Sequence, residues 1–382
     1  MDKAGETSEI SRRIHILHVI SRLPVGGVEN MLLKVVQGYD SSRFRASICC
    51  IREGGAVADE LQRRGFKVIV LNRMQGHGFD AGAVKALFQV IKGENIHILR
   101  THQYHANLYG RIAGLLAGVS IIVPSFHNLY RSPAPPKLHR RAINHLLSYF
   151  SDRLVAVSDA VRSDMIAYDR VDPAKVMVIH NGVEVEKYQT ALSREEARKA
   201  LRMPGKTVVI GAAGRLTVQK GHALLIEAAA GIENITIAVA GDGPLMHELQ
   251  NLCEGCHVRC SLLGRIEPDM MPQFFRSLDI FCFPSLWEGM PSALVEAMAA
   301  GLPVIASDIL PHREVVGDAG MLVPPADAPA LRTAIMALLE NGSLRNDLAG
   351  KAKERAVEFD LMKTVKSYET LFEQLMKTKG LS

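Results

Sequence analysis

The sequence predicts an α/β protein made of two successive domains, each an open parallel sheet covered by helices. Three observations carry this expectation. Short apolar runs alternate with longer amphipathic ones along nearly the whole chain, the pattern of parallel strands joined by helical crossovers. The chain has 382 residues, and single hydrophobic cores rarely grow past about 250–300 residues. A charged stretch from Glu184 to Lys206 separates two such alternating series.

The first apolar run is Ile14–Ile20, followed by the loop Ser21–Gly27 and a helix from Val28 to Gly38. Further strands are expected at Ala46–Ile51, Lys67–Leu71, Ile96–Thr101, Ile121–Ser125 and Leu154–Ser158, with helices between them. Val176–Gly182 reads as a last strand of this half that passes into a linker. The second series opens at Thr207–Gly211 and continues at Ile235–Ala240, Val258–Leu262, Ile280–Phe283 and Pro303–Ala306. Leu361 to Lys377 is amphipathic and reads as an ordered helix. The expected domains are residues 1–186 and 187–360, with the helix at 361–377 crossing back onto the first. Two Rossmann-like sheets facing each other would leave a cleft at the carboxyl ends of their strands, where ligands of such sheets bind.

Composition narrows the function. Hydrophobic residues make up 48% and charged residues 22%, the balance of a soluble globular protein. The net charge of +5 suits an anionic ligand or membrane surface and is too small to argue for nucleic acid. The six cysteines do not read as a disulfide framework, since Cys49, Cys50 and Cys282 fall inside apolar runs. A reducing compartment is the simplest reading. The polar opening MDKAGETSEISRR reads as lacking a signal peptide. Ile112 to Phe126, broken by Gly114, Gly118 and Pro124, falls short of the roughly 20 apolar residues of a spanning helix. The expected location is cytoplasmic, with at most a peripheral hold on a membrane.

The most informative segment is PSLWEGMPSALVEAMAAGLPVIASD. The strand Ile280–Phe283 ends at Pro284, and a loop carries Glu288, Gly289 and Met290. Pro291 suits the first helical position, with its fixed φ and missing N–H. Ser292 and Ala293 would then present unpaired amides at a positive helix terminus, a seat for phosphate oxygens. Glu296, one and a half turns in, can accept two vicinal hydroxyls, as a ribose offers. Glu288 can reach a different group. The plain alternative is two solvated glutamates and a proline that only starts a helix.

In GAAGRLTVQKG, a strand enters a glycine-bearing loop in which Arg215 and Lys220 flank a turn. Two cations beside a close backbone approach suit a diphosphate, though an ordinary basic loop looks the same. The turn Gly241–Pro244 is a weaker signal. Gly26 and Gly27, before the first helix, allow amides to approach an anion or a sugar, or make a plain tight turn. G-x-G-x-x-G is missing.

Together these segments resemble glycosyltransferase family 4, the retaining group with the GT-B fold. GRLTVQKG, AGDGP, LLGR and EGMPSALVEAMAAGLPVIASD stand in the family's order between Gly211 and Asp308. The first half adds Gly26-Gly27, Ser125-Phe126-His127, Val157-Ser158 and Asn181-Gly182-Val183. The resemblance implies that Arg215 and Lys220 neutralise the diphosphate of a nucleoside diphosphate sugar, UDP- or GDP-linked. It implies Glu296 on the ribose, Glu288 on the transferred sugar, the Ser292 and Ala293 backbone on phosphate, and Leu263–Gly264–Arg265 walling the nucleobase. His127 matches the family's active-site histidine, and Gly26 and Gly27 match its diphosphate-facing loop. His180 departs from the proline usual before Asn-Gly-Val.

The implied function is transfer of a hexose to a hydroxyl of a glycan, a lipid or lipid-linked acceptor, or a small polyol, in envelope polysaccharide, lipopolysaccharide or glycolipid synthesis. No nucleophilic carboxylate is identifiable, and a front-face mechanism is what the resemblance implies. The sequence holds no Asp-x-Asp motif, so neither a metal nor another cofactor is expected. The alternatives are a GT-B sugar-nucleotide epimerase and a non-catalytic sugar-nucleotide-binding protein.

Other features remain ambiguous. His102, His105 and Asn107, with Tyr104, follow a strand end and could contact the acceptor or form a plain polar edge. Trp287 could pack on the sugar or within its own loop. Cys253, Cys256 and Cys260, with His247 and His257, read better as a helix end entering a strand than as a metal site. Lys137–Arg153 is basic and amphipathic, fit to lie on an anionic membrane or to be a domain helix with one solvated face. Nothing in the sequence fixes the oligomeric state.

Overall fold

The computed structural model describes residues 13–75, 78–129 and 137–381. It resolves into two compact units, Met1–Asn181 with Met362–Ser382, and Gly182–Leu361. Both are α/β with entirely parallel sheets.

The sheet of the first unit comprises β1 (Ile14–Ile20), β2 (Phe44–Cys50), β3 (Lys67–Val70), β4 (Ile98–His102), β5 (Ile121–Phe126), β6 (Leu154–Ala156) and β7 (Val176–Val178). Their order is β3-β2-β1-β4-β5-β6-β7. Six of the seven β1 residues are buried, as expected of a central strand covered on both faces. The chain winds outward from β1 to β3, then returns to start again at β4. Strand order therefore reverses between β1 and β4, which pair from Ile16↔Ile98 to Val19↔Thr101. On one face, Leu17, Val19 and Leu99 pack with Leu87 and Tyr109 from the helices Ala81–Glu94 and Gln103–Ala117.

The terminal helix, Leu361–Thr378, packs on this unit. Its Phe372 ring meets Tyr39 and Phe44 edge-on. Arg100 of β4 places its guanidinium 3.5 Å from the Tyr368 ring centroid and donates to the Tyr39 hydroxyl at 3.1 Å. Tyr368, Leu371 and Phe372 are all buried, and each such side chain contributes about 1.5–3 kcal/mol. Burial on that scale fixes the helix.

The second unit holds β8 (Val208–Ala213), β9 (Ile235–Ala240), β10 (Cys260–Leu262), β11 (Ile280–Phe283), β12 (Val304–Ser307) and β13 (Met321–Val323). Their order is β10-β9-β8-β11-β12-β13, with the reversal between β8 and β11. Sequence reading did not anticipate β13, whose three residues after Gly320 are too short to register as an apolar run. The chain enters and leaves this unit side by side. Val183 N–H donates to Phe359 O at 2.8 Å, and Leu361 N–H to Val183 O at 2.9 Å.

The cysteine expectation needs correction. Cys253 and Cys260 form a disulfide, with Cα atoms 6.2 Å apart. The end of the helix Met246–Gly255 folds back beside β10, so seven residues of chain close a loop that spacing alone does not reveal. With that bond in place, the cysteine pattern no longer argues for a reducing compartment. Among the described residues no helix is long and apolar enough to cross a membrane. The basic segment at 137–153 forms the helix Leu138–Tyr149.

Candidate functional site

In the second unit, four strand-end loops meet at the β8/β11 reversal. The loop after β8 begins at Gly214, whose N–H donates to Ala240 O at 2.9 Å. Next to it, Gly241 has φ +151°, and any side chain there would run into the Gly214 carbonyl oxygen. Gly241 N–H in turn donates to Gly264 O at 2.8 Å. The β8, β9 and β10 loops are thus locked by their backbones, and the Gly241–Pro244 turn is the middle of that lock. The loop after β11 is zipped to the β8 loop by Leu286 N–H to Gln219 O and by the Gln219 amide to Trp287 O, both 2.8 Å.

This lock positions the charged groups. Lys220 ends a single 3-10 turn, Val218–Lys220. Its stem lies across Gly214, where a side chain would press tightly against it. Its Nζ sits 2.6 Å from Glu288 Oε1 and 5.0 Å from the Phe283 ring centroid. Glu288 is 7% exposed and Lys220 19%. Arg215 is exposed, and its guanidinium makes no ion pair among the described residues. Leu263 and Gly264 are half-buried beside it in the lock, with Arg265 exposed.

The helix Ser292–Ala299 departs from the expected start. Pro291 is its N-cap, with φ −86° and ψ 74°, not its first helical residue. Ser292 N–H bends back to Met290 O at 3.1 Å. The expected pair of unpaired amides is therefore reduced to Ala293, which has no helical carbonyl behind it to accept its N–H. The proline ψ tightens the chain and hands the first amide to the preceding loop. Glu296 lies on this helix, half-buried, and accepts a hydrogen bond from the Tyr188 hydroxyl. Burial, and then Glu296, raise the Tyr188 ionisation far above its ordinary value. Tyr188 sits in the short turn Val185–Tyr188, edge-on to Phe275. Its position in the charged stretch gave no sign of a partner 108 residues away by chain number (296 − 188).

In the first unit, His127 follows β5 and is 8% exposed. Neither ring nitrogen finds a partner among the described residues. Burial, aided by the Arg100 charge, pushes its pKa down to about 3. His102 occupies the last position of β4, its ring 5.7 Å from that of His127. It is buried against His18, Nε2 to Nδ1 3.1 Å, so it lies within the sheet. His105 is exposed on the following helix, edge-on to Tyr104. Asn107 turns inward, accepting from the Thr101 hydroxyl at 2.7 Å and donating to Ser125 O at 3.0 Å. Its amide holds β4 to β5, which corrects the expectation that it is open to an acceptor. Gly26 is the N-cap of the helix Gly27–Gly38. Glu29 and Gln103, not singled out from sequence, pair across the β1 and β4 loops, Nε2 to Oε1 3.1 Å.

Chemically, the second unit offers two cations, a helix amide and two carboxylates around one reversal point. The first unit offers a neutral histidine and a carboxylate. The family described as Glycosyl transferases group 1 matches residues 193–355, and Glycosyltransferase Family 4 matches residues 25–187. The Escherichia coli UDP-Gal:alpha-D-GlcNAc-diphosphoundecaprenol alpha-1,3-galactosyltransferase is 28% identical, over 96% of this chain and 98% of its own. The phosphatidyl-myo-inositol mannosyltransferase of Mycolicibacterium smegmatis is 30% identical over 69% of this chain and 67% of its own. Among solved structures, Anabaena HepE in complex with UDP superposes with a TM-score of 0.84 at 23% identity, covering 94% of this chain and 100% of HepE.

Proposed function

This chain belongs to glycosyltransferase family 4, the group 1 glycosyltransferases, and on that premise we propose that it moves a hexose from a UDP-sugar to a hydroxyl of a lipid-linked glycan, with retention of configuration. The observation that carries this reading is the lock of strand-end loops that gathers Arg215, Lys220, Glu288 and Glu296 at the β8/β11 reversal.

Departure of a nucleoside diphosphate builds negative charge on the leaving group. Arg215, Lys220 and the Ala293 amide face that charge, and such preorganised groups are worth most in the transition state. They supply what a divalent metal supplies elsewhere. Glu296, oriented by Tyr188, takes the ribose hydroxyls, and Leu263–Arg265 wall the base. Glu288 and the loop Gly289–Pro291 take the hexose. Lys220 lies between Glu288 and the incoming diphosphate and serves both. His127, neutral at pH 7, is the first unit's hydrogen-bonding group toward the acceptor. In keeping with the family resemblance, the acceptor attacks on the face the diphosphate leaves, and a diphosphate oxygen takes its proton.

UDP is favoured because UDP occupies HepE and names the donor of the Escherichia coli relative. That relative's acceptor, a diphospholipid-linked N-acetylglucosamine, suggests the acceptor class. The helix Leu138–Tyr149 supports work at a membrane. It exposes Leu138 (76%), Leu146 (58%) and Tyr149 (63%), followed by Phe150 and Arg153. Apolar side chains turned to solvent beside basic ones suit the interface of an anionic bilayer.

The test is release of UDP from UDP-galactose or UDP-glucose with a short-chain N-acetylglucosaminyl diphospholipid, and the anomeric configuration of the product by NMR. Acceptor-dependent UDP release with an α-linked product is expected. No release from any UDP-, GDP- or ADP-hexose rejects the reading, and a β-linked product rejects retention. Sedimentation with phosphatidylglycerol vesicles, lost in Leu146→Glu/Tyr149→Glu, tests the membrane contact.

A further inference from the structure

The first unit also has a strand-order reversal, between β1 and β4, and two loops meet there. Glu29 stands in the first turn of the helix after β1, only 9% exposed. Its Oε2 folds back over Gly26, where any side chain would collide with it. Its Oε1 accepts the Gln103 amide at 3.1 Å.

Gln103 is the residue immediately after β4 and has φ +65°. For a residue that is neither glycine nor asparagine, this conformation costs on the order of 1 kcal/mol or more and persists where the surroundings demand it. Here the demand is visible. The turn at Gln103 carries its amide across to Glu29 while His102, the residue before, stays in the sheet against His18. One strand further on, His127 follows β5, its ring nitrogens buried and without a partner among the described residues, its ring 5.7 Å from His102. Three adjacent strand ends in the order β1, β4, β5 thus present a carboxylate, a strained amide and a neutral imidazole.

A carboxylate is an acceptor only, and among the described residues no donor reaches Oε2. The ligand that satisfies it must donate a hydrogen bond. A phosphate oxygen placed directly on Oε2 would meet a like charge, whereas a sugar hydroxyl would not. We propose that Glu29, held in place by Gln103, is the carboxylate that accepts a hydrogen bond from a hydroxyl of the acceptor sugar, and so sets which acceptor the enzyme takes. This rests on the glycosyltransferase reading above. Gln103 is a positioning residue, acting only through Glu29.

The experiment compares the parent enzyme with Glu29→Gln, Gln103→Leu and the double variant. UDP-galactose or UDP-glucose is the donor and a short-chain N-acetylglucosaminyl diphospholipid the acceptor. Three quantities are read: acceptor KM, donor KM, and acceptor-free hydrolysis of the donor. Glu29→Gln should raise acceptor KM at least tenfold, with donor KM and hydrolysis within twofold of the parent. Gln103→Leu should raise acceptor KM by less, and the double variant should match Glu29→Gln alone, because Gln103 has nothing left to position. An unchanged acceptor KM overturns the proposal. So does a donor KM that rises with it, or an additive double variant. A parent enzyme that neither hydrolyses nor transfers any nucleotide sugar rejects the function itself, and this inference with it. Thermal melts of each variant keep a folding defect from passing as either result.

Discussion

Lys220 Nζ and Glu288 Oε1 stand 2.6 Å apart, so the cation proposed for the diphosphate and the carboxylate proposed for the hexose form an ion pair with each other. The pair arises from the zipped β8 and β11 loops, and it makes each residue's removal a test of the other.

Lys220→Ala should lower turnover by about 10²–10³, the usual loss when a leaving-group contact is removed. It also strands Glu288, which should cost about 1–3 kcal/mol of stability. Adding Glu288→Gln should recover the stability and leave turnover low. Rates of UDP release and denaturant melts separate the two effects, and a Lys220→Ala enzyme as active as the parent would remove Lys220 from the diphosphate.

Donor affinity should depend on both members of the Tyr188–Glu296 pair. Glu296→Ala is expected to weaken UDP binding by tenfold or more in calorimetry. Tyr188→Phe should weaken it by about two- to tenfold, since one hydrogen bond contributes about 0.5–1.5 kcal/mol. Unaltered UDP affinity in Glu296→Ala would rule out its place on the ribose.

Acid should destabilise the protein well before its carboxylates titrate. Burial lowers the pKa of His127 to about 3 and those of His222 and His312 to about 4, below the 6.5 of a free imidazole. Between those values the unfolded chain binds more protons than the folded one. The stability these residues give is complete above pH 6.5 and is lost as pH falls toward the folded values. Melting temperature should drop from pH 7 to pH 5, and His127→Phe should flatten part of that slope. A melting temperature that climbs on acidification would contradict this account.

Gly241→Ala should destabilise the second unit by about 2–4 kcal/mol, because φ +151° and the Gly214 carbonyl leave no room for a methyl group. UDP affinity should fall with it, since the same backbone lock carries Lys220. A denaturant midpoint equal to the parent's would show that the lock yields.

Thiol titration under denaturing, non-reducing conditions should find four free cysteines, Cys49, Cys50, Cys256 and Cys282. Reducing the Cys253–Cys260 bond should cost about 2–3 kcal/mol, the loop-closure value for a short ring. Six free thiols in freshly purified, unreduced protein would count against the bond.

The placement of the candidate-site residues of the second unit was legible because they are close in sequence. Glu288, Pro291 and Glu296 share one strand–loop–helix unit, and Arg215 and Lys220 share another, so periodicity and loop chemistry place them without knowledge of the rest. Local reading failed where a short-range geometric detail decides a bond. The ψ of Pro291 turned the Ser292 amide back onto Met290, and a three-residue β13 left no periodic trace. Asn107 looked like a polar residue at a strand end until β5 came alongside and took its amide.

Alternating apolar and amphipathic runs by themselves determined two parallel α/β sheets, because a buried strand and a half-buried helix each write their own period into the chain. Strand order in space was not written there. It brought Glu29 against Gln103, 74 residues on, and Tyr188 against Glu296. Such pairings depend on which elements lie side by side once the sheets close, and no single stretch of sequence carries that information.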